Sequence, residues 1–250
     1  MCELLTISSI NTDPLHRSIF EWHARFDVMA SILADSEAIL SRDWYIAREE
    51  HDAEQATKDP ESVFKQLILI NSINRRLGMD MASLQARLSN GMVSLDQYAL
   101  FNLQLAHRMH ALRSRLHQLN DPEHTVVSFP NREPLTDDDI VDPYVPGILH
   151  TGPLWDLNFA WLDFHATELM FNFKSYTSLR HRSLIQPARL AKQAFDICQL
   201  AEAVDRWPDM ENGYLVSLKN CIGMASIFLP SSHRHHLWCR RKFAKMEQNG

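Results

Sequence analysis

The sequence predicts an all-α fold, and three observations predict it. Apolar residues recur at steps of three and four along most of the chain. Glycine is scarce, with 7 in 250 residues, while good helix formers such as Leu, Ala, Met, Gln and Arg are plentiful. No segment alternates between apolar and polar residues as a half-exposed strand would. Because 250 residues can enclose a substantial core, we expect one multi-helix domain over residues 1–250.

Cap and turn residues divide the first half of the chain into four predicted helices. Aspartate followed by proline favours a helix start, and asparagine followed by glycine favours a helix end. Serine with glutamine three residues later has the spacing of a capping box. The predicted helices are 15–33 after Asp13 and Pro14, 36–55, 60–89 between Asp59-Pro60 and Asn90-Gly91, and 95–119 after Ser94 and Gln97.

A long irregular stretch, at about 120–152, follows the fourth predicted helix. It contains an acidic run over 137–139 and several prolines. A loop of this length within a compact domain is usually a lid or a disordered linker. Its apolar residues favour packing against the domain over free disorder. The prolines are Pro122, Pro130, Pro134, Pro143 and Pro146.

The most aromatic helix of the chain is predicted over 153–179. Its aromatic residues occupy more than one face, which is typical of a helix buried from several sides, and we expect it to lie at the centre of the fold. Further helices are predicted over 187–206, 210–228 and 232–248. The aromatic residues are Trp155, Phe159, Trp161, Phe164, Phe171, Phe173 and Tyr176.

Composition and missing motifs exclude several classes of function. A net charge of −6 argues against a nucleic-acid surface covering the molecule. Because no apolar run is long enough to cross a bilayer, and the first residues do not resemble a signal peptide, we expect a soluble intracellular protein in the cytoplasm or nucleus, with no membrane partner. Phosphate-binding glycine loops and hydrolase motifs are absent from the sequence, so we expect no cofactor.

The C-terminal segment contains one candidate metal site. His233, His235, His236 and Cys239 include pairs at helical spacing that could chelate zinc. A stable zinc site needs further ligands that the spacing does not supply, so packing residues are the favoured interpretation and we predict no metal. The basic residues of this segment are interpreted as a solvated face near a helix C-terminus, where cations offset the helix dipole. They are Arg234, Arg240, Arg241, Lys242 and Lys245.

His165 and Glu168 are the candidate catalytic residues, because they stand three apart on the aromatic helix and share a face. His165 could donate a hydrogen bond or act as a general acid while Glu168 sets its tautomer. The alternative is a structural histidine with a satisfied partner.

Two arginine-containing segments have structural alternatives as well. Arg25 and Asp27 are best explained by an ion pair with another helix. Arg75 and Arg76 could contact an anionic ligand or join two helices.

Four segments, in order along the chain, resemble one protein family. They read W-H-A-R-F-D at 22–27, I-N-R-R-L-G-M-D-M-A-S-L at 73–84, I-C-Q-L-A-E-A-V-D-R-W-P-D at 197–209, and F-L-P-S-S-H-R-H-H-L-W-C-R-R-K-F-A-K-M-E at 228–247. Together they resemble the helical regulatory domain of fungal transcription factors that bind DNA through a six-cysteine zinc cluster. This chain has only Cys2, Cys198, Cys221 and Cys239, so no zinc cluster and no direct DNA binding are expected.

The resemblance implies two classes of function. In one, the chain is a ligand-binding regulator or co-regulator without its own DNA-binding module. In the other, which the sequence favours, the domain serves fungal secondary metabolism as a cofactor-free cyclase that closes rings in a hydrophobic terpenoid or polyketide by a Diels–Alder-like reaction. A pocket can accelerate such a step by holding the reactive conformation and offering one hydrogen bond.

The cyclase hypothesis predicts an apolar cavity covered by the 120–152 loop. A hydrophobic small molecule would bind there against Trp22, Phe26, Trp155, Phe159 and Phe164, with His165 as the polar group. Family domains usually extend beyond the position of Gly250. Apolar helix surface left uncovered by the shorter chain is therefore expected to form a homodimer or to lie beneath the loop.

Overall fold

The computed structural model describes residues 6–130, 132–179, 187–208 and 214–248. These residues form nine α-helices and, apart from one isolated β-bridge, no β-structure, so the predicted all-α class is confirmed. The helices divide between two compact units, unit 1 (Met1–His117) and unit 2 (Gln118–Gly250). The assignment of residues 1–250 to one domain stays a prediction.

Unit 1 contains five helices, and the caps foreseen in the sequence set several of their ends. Asp13 Oδ1 accepts hydrogen bonds from the backbone N–H groups of Leu15 and His16, at 2.8 and 3.1 Å. Ser94 and Gln97 form the predicted reciprocal capping pair. The helices are α1 (Ile7–Thr12), α2 (Pro14–Ala34), α3 (Arg42–Lys58), α4 (Val63–Ser89) and α5 (Leu95–Gln118).

Two features of unit 1 differ from the sequence prediction. The short helix α1 was not predicted, and α3 begins at Arg42, six residues later than expected. The connection before α3 is held by Asp27, whose carboxylate accepts hydrogen bonds from the backbone N–H groups of Ile39 and Leu40, at 2.7 and 2.9 Å. The hydroxyl of Tyr45 donates to the same carboxylate at 3.1 Å. Asp27 therefore fixes a turn and has no basic partner recorded among the described residues, while the ion pair expected for Arg25 stays a prediction.

The core of unit 1 lies where α4 packs against α2 and α3. Leu77 and Ala82 of α4 are almost fully buried, as is Phe20 of α2. At Gly78 the two helices approach so closely that an added Cβ atom would lie 2.6 Å from Cγ1 of Val28. The glycine therefore permits the close packing of α2 on α4.

Unit 2 is built around the aromatic helix. This helix, α6, packs against α7 and α8, and α8 packs against α9. Buried residues occur around most of its circumference, as predicted. It was predicted to begin at residue 153 but begins at Leu157, because a 3-10 turn (Gly152–Leu154) precedes it. The other helices are α7 (Pro187–Asp205), α8 (Tyr214–Ser226) and α9 (His233–Gln248); the start predicted near Met210 lies outside the described residues.

The proline-rich connection at 120–152 packs against its own unit, as its apolar residues predicted. The backbone N–H of Val126 donates to Leu149 O, and that of Gly147 donates to Val126 O, both at 2.8 Å. Val126 and Leu149 are buried, and so is Tyr144. Among the helices described, none combines the length and the apolar character required to span a bilayer.

Candidate functional site

The residues predicted to line one cavity belong to two units. Trp22 and Phe26 lie one turn apart on α2 of unit 1, where their rings meet edge to face at 5.0 Å. They are 63% and 42% exposed. Trp155, Phe159 and Phe164 belong to unit 2, in which Phe164 is fully buried. A cavity shared by these five residues stays a prediction.

Phe159 and the predicted catalytic residues occupy different faces of α6. An α-helix turns by about 100° per residue, so His165 lies about 120° around the axis from Phe159, and Glu168 about 180°. The ring of Trp155 contacts Phe159 edge to face at 6.0 Å. The shared face of His165 and Glu168 agrees with the prediction, whereas the aromatic pair points elsewhere.

His165 and Glu168 are both engaged in packing. The imidazole of His165 is half-buried and stacks on the ring of Trp161, with centroids 5.3 Å apart. The buried carboxylate of Glu168 accepts a hydrogen bond from Nε2 of Gln193, on α7, at 3.2 Å. Gln193 in turn accepts one from Nδ2 of Asn172 at 3.0 Å. This chain of hydrogen bonds links α6 to α7 and gives Glu168 a structural role, while both alternatives for His165 stay predictions.

His235 of α9 also has local partners. Nδ1 of His235 lies 2.6 Å from Oγ of Ser232, and its ring meets Phe195 edge to face. Cys239 is half-buried, and burial raises the pKa of its thiol. In the part of the chain that the structure describes, no three potential ligands cluster as a metal site would need.

Four of the five basic residues of α9 are exposed, as the predicted solvated face requires, whereas Lys242 is largely buried in a network of ion pairs. Nζ of Lys242 lies 2.7 Å from Glu202 and 2.5 Å from Asp205, two buried carboxylates of α7. Lys245 also pairs with Asp205, at 2.6 Å. We call this set, together with Asp138, Asp139, Arg206, Arg234 and Arg241, the acid–base cluster.

The acid–base cluster also fixes the proline-rich connection to α7 and α9. Arg206, the residue after the end of α7, pairs with the carboxylate of Asp139, and Arg241 of α9 pairs with Asp138 at 2.6 Å. Burial would raise the pKa of Asp139, but hydrogen bonds from Thr136 and Arg206 lower it below its ordinary value. The acidic run of the connection thus neutralises part of α9.

An open pocket of about 430 Å³ lies in unit 1, and the sequence analysis did not predict it. We call it the α4–α5 pocket, because one face of each helix forms its walls, and Arg42 at the start of α3 lies at one end. The α4 face contributes Asp80, Ser83, Leu84 and Arg87, and the α5 face contributes Phe101, Gln104, Leu105 and Arg108.

The two walls run antiparallel, because only a short turn containing Gly91 joins α4 to α5. Gly91 has a φ of +70°, which glycine adopts without the strain that another residue would suffer. Near this turn the guanidinium of Arg87 lies over the ring of Phe101, 6.0 Å from its centroid. At the opposite end Asp80 meets Arg108 at 2.6 Å.

The α4–α5 pocket contains more positive than negative side chains. Asp80 Oδ1 accepts from Nε of Arg42 at 2.9 Å, and Oδ2 accepts from Nη1 of Arg108. Burial of Leu84 and Leu105 provides an apolar floor. With Arg87 included, three arginines face one aspartate, so the lining carries a net charge of 3 − 1 = +2 in a chain whose net charge is −6.

The spacing of residues along α4 and α5 is a sequence signal for this pocket. Asp80, Leu84 and Arg87 share a helix face, and the corresponding spacing recurs on α5. The neighbouring arginines that were weighed as anion ligands serve instead between helices: Arg76 pairs with Glu49 at 3.1 Å, and Arg75 lies 3.9 Å from Glu21.

Comparison of the chain with protein-family models, with curated proteins and with solved structures finds no match. The relation to the regulatory domain of fungal transcription factors therefore stays a prediction.

Proposed function

We propose that this protein binds a small molecule in the α4–α5 pocket and acts as a ligand-dependent regulator or co-regulator without a DNA-binding module of its own. The observation that carries the proposal is the pocket itself, with convergent arginines above an apolar floor. Its volume lies within the range of about 300–1,000 Å³ that is usual for small-molecule sites. The regulatory role rests on the family resemblance.

The form of the pocket supports reversible binding more than catalysis. It is open to solvent, and the side chains of Arg42 and Arg108 are 55% and 36% exposed. A cyclase needs a closed site, because excluding water strengthens the single hydrogen bond that would stabilise the developing charge. The ion pairs of Asp80 hold two of the arginines in place before a ligand arrives, which lowers the entropic cost of binding.

A cofactor-free cyclase is our second proposal, and one feature of α6 favours it. The imidazole of His165 is half-buried and lies beside the rings of Trp161 and Phe164, so it could offer one donor next to an aromatic surface. Glu168, bound by Gln193, would act only by positioning.

A blocking substitution tests the ligand-binding proposal. Ser83→Trp places an indole in the pocket, whereas Ser89→Trp adds the same group at an exposed position of α4 outside it. A metabolite library is screened by thermal denaturation. We expect at least one compound to stabilise the wild type and Ser89→Trp but not Ser83→Trp. Equal responses from all three proteins would contradict binding in this pocket.

Gene deletion in the organism of origin separates the two proposals. A regulator predicts altered transcripts, with no conversion when purified protein is added to accumulated metabolites. A cyclase predicts unchanged transcripts and an accumulated precursor that the protein converts stereoselectively without metal or cofactor. His165→Phe would then slow turnover by about 10²–10³-fold if the imidazole stabilises charge.

A further inference from the structure

We propose that the ligand of the α4–α5 pocket is an elongated organic dianion, with anionic groups at both ends of an apolar body. This inference rests on the proposed function of the pocket as a ligand site. The chemical class of the ligand follows from the charges and the length of the pocket.

The distribution of charge along the pocket carries the inference. At one end, Arg42 and Arg108 share the carboxylate of Asp80, and Arg76, 3.9 Å from the same carboxylate, is balanced by Glu49, which leaves a net charge of +1. At the other end, Arg87 contributes a second +1. The structure records for it a ring contact with Phe101 and no carboxylate partner among the described residues. Each end therefore retains one uncompensated positive charge.

The separation of the two ends sets the length of the ligand. Arg87 follows Asp80 by seven residues on α4, so at about 1.5 Å per residue the two ends are about 10 Å apart. Between them, the buried Leu84 and Leu105 form an apolar floor without a charged group. A molecule with one anionic group could use only one end.

The donors at both ends are suited to carboxylates. A guanidinium presents a planar set of N–H donors that matches a carboxylate bidentately. Asp80 accepts one hydrogen bond from each of Arg42 and Arg108, so further N–H groups of both remain for a ligand. The ring of Phe101 limits the orientation of Arg87 and extends the apolar surface toward that end.

The experiment measures affinity by titration calorimetry for linear dicarboxylates from succinate to dodecanedioate and for the matching monocarboxylates. We expect the dicarboxylates to bind best at one intermediate length, and more tightly than any monocarboxylate. Arg87→Gln should weaken the best dicarboxylate by about tenfold or more, since a hydrogen bond to a charged group is lost. It should leave monocarboxylates almost unchanged, because Asp80 and its partners are intact.

Arg115→Gln is the matched control. It removes the same charge from an exposed position on α5, about 10 Å beyond Arg108, and lies outside the pocket. If dicarboxylates show no length optimum and Arg87→Gln has no more effect than Arg115→Gln, the two-ended ligand is wrong. The ligand-binding function would survive that result if another compound still distinguished Ser83→Trp from Ser89→Trp, and would fail if none did.

Discussion

Gly78 shows how one residue without a side chain sets the distance between two helices. Alanine is the better helix former by about 1 kcal/mol, so local propensity alone would favour Gly78→Ala. The new Cβ atom would, however, lie 2.6 Å from Cγ1 of Val28, whose branched side chain is held in one rotamer within a helix. The two effects oppose each other, and the steric one is larger.

We therefore expect Gly78→Ala to lower the free energy of unfolding by about 1–3 kcal/mol, as overpacking of a core does. Chemical denaturation measures the change. Gly223→Ala in α8 is the control, because its nearest neighbour, Phe243, would lie at 4.0 Å, an ordinary contact. Adding Val28→Ala to Gly78→Ala should recover part of the loss. Equal effects of the two glycine substitutions would contradict the steric explanation.

His150 makes stability depend on pH. Its side chain is buried, its Nδ1 lies 3.3 Å from Oδ1 of Asn158, and its Nε2 has no partner in the described structure. Burial lowers the pKa of His150 below 6.5, and the contact with Asn158 opposes this only in part. The unfolded chain therefore takes up a proton at a higher pH than the folded protein does.

Stability should accordingly be constant above about pH 7 and fall as the pH drops below about 6.5, the unfolded value of histidine. His150→Gln removes the titrating group and should flatten this slope, whereas His110→Gln, at an exposed position of α5, should not. Burial also lowers the pKa of His51 and His235, so a smaller slope in the same direction should remain. Denaturation between pH 5 and pH 8 provides the comparison. An unchanged slope in His150→Gln would overturn the assignment.

Among the helices, the ends that local chemistry determines were predictable from the sequence, whereas the ends set by distant contacts were not. Asp13 caps α2 through its immediate neighbours, and Asn90 with Gly91 ends α4, as expected. The start of α3 was misplaced, because Asp27, twelve residues before Ile39, holds the preceding segment in a turn. No periodicity within a segment reports such a contact.

Ion pairs and hydrogen bonds also join α9 to α7, and Lys242 lies at the centre of these contacts. Its ammonium group lies between two carboxylates, Glu202 and Asp205, whose side chains are almost completely buried. Nε1 of Trp238 donates a further hydrogen bond to Glu202 at 2.5 Å. Removing the cation would leave two buried negative charges with fewer partners.

We expect Lys242→Met to destabilise the protein by about 3–5 kcal/mol, the usual cost of breaking a buried ion pair from one side. Arg240→Met is the matched control on the same helix, because Arg240 is exposed and has no recorded partner in the described structure. Its effect should stay within about 0.5 kcal/mol. Urea unfolding of both variants tests the difference, and similar losses would contradict a central role for Lys242.

At the scale of the whole molecule, the candidate site was less predictable than the fold. The helices follow from spacing within short segments, but the α4–α5 pocket combines Arg42, Asp80, Arg87 and Arg108 from three helices. Each of these residues, taken alone, is typical of a solvated helix surface. Their shared site depends on the antiparallel packing of α4 and α5, which the composition does not determine.

The distribution of charge over the molecule leads to the last prediction, that the chain does not bind duplex DNA specifically. Its net charge is −6, and the basic residues of α9 that could contact phosphates are largely paired within the acid–base cluster. At physiological salt we expect affinity no tighter than about 10⁻⁶ M, without sequence preference.

Replacing Asp138 and Asp139 by Asn should release Arg241 and Arg206 and strengthen this non-specific binding, with a steeper dependence on salt. Fluorescence anisotropy with labelled duplexes measures both effects. Nanomolar, sequence-dependent binding by the wild type would contradict the prediction. A protein with a net negative charge repels DNA, so such tight binding would require side chains that contact the bases, and the paired cations of α9 do not provide them.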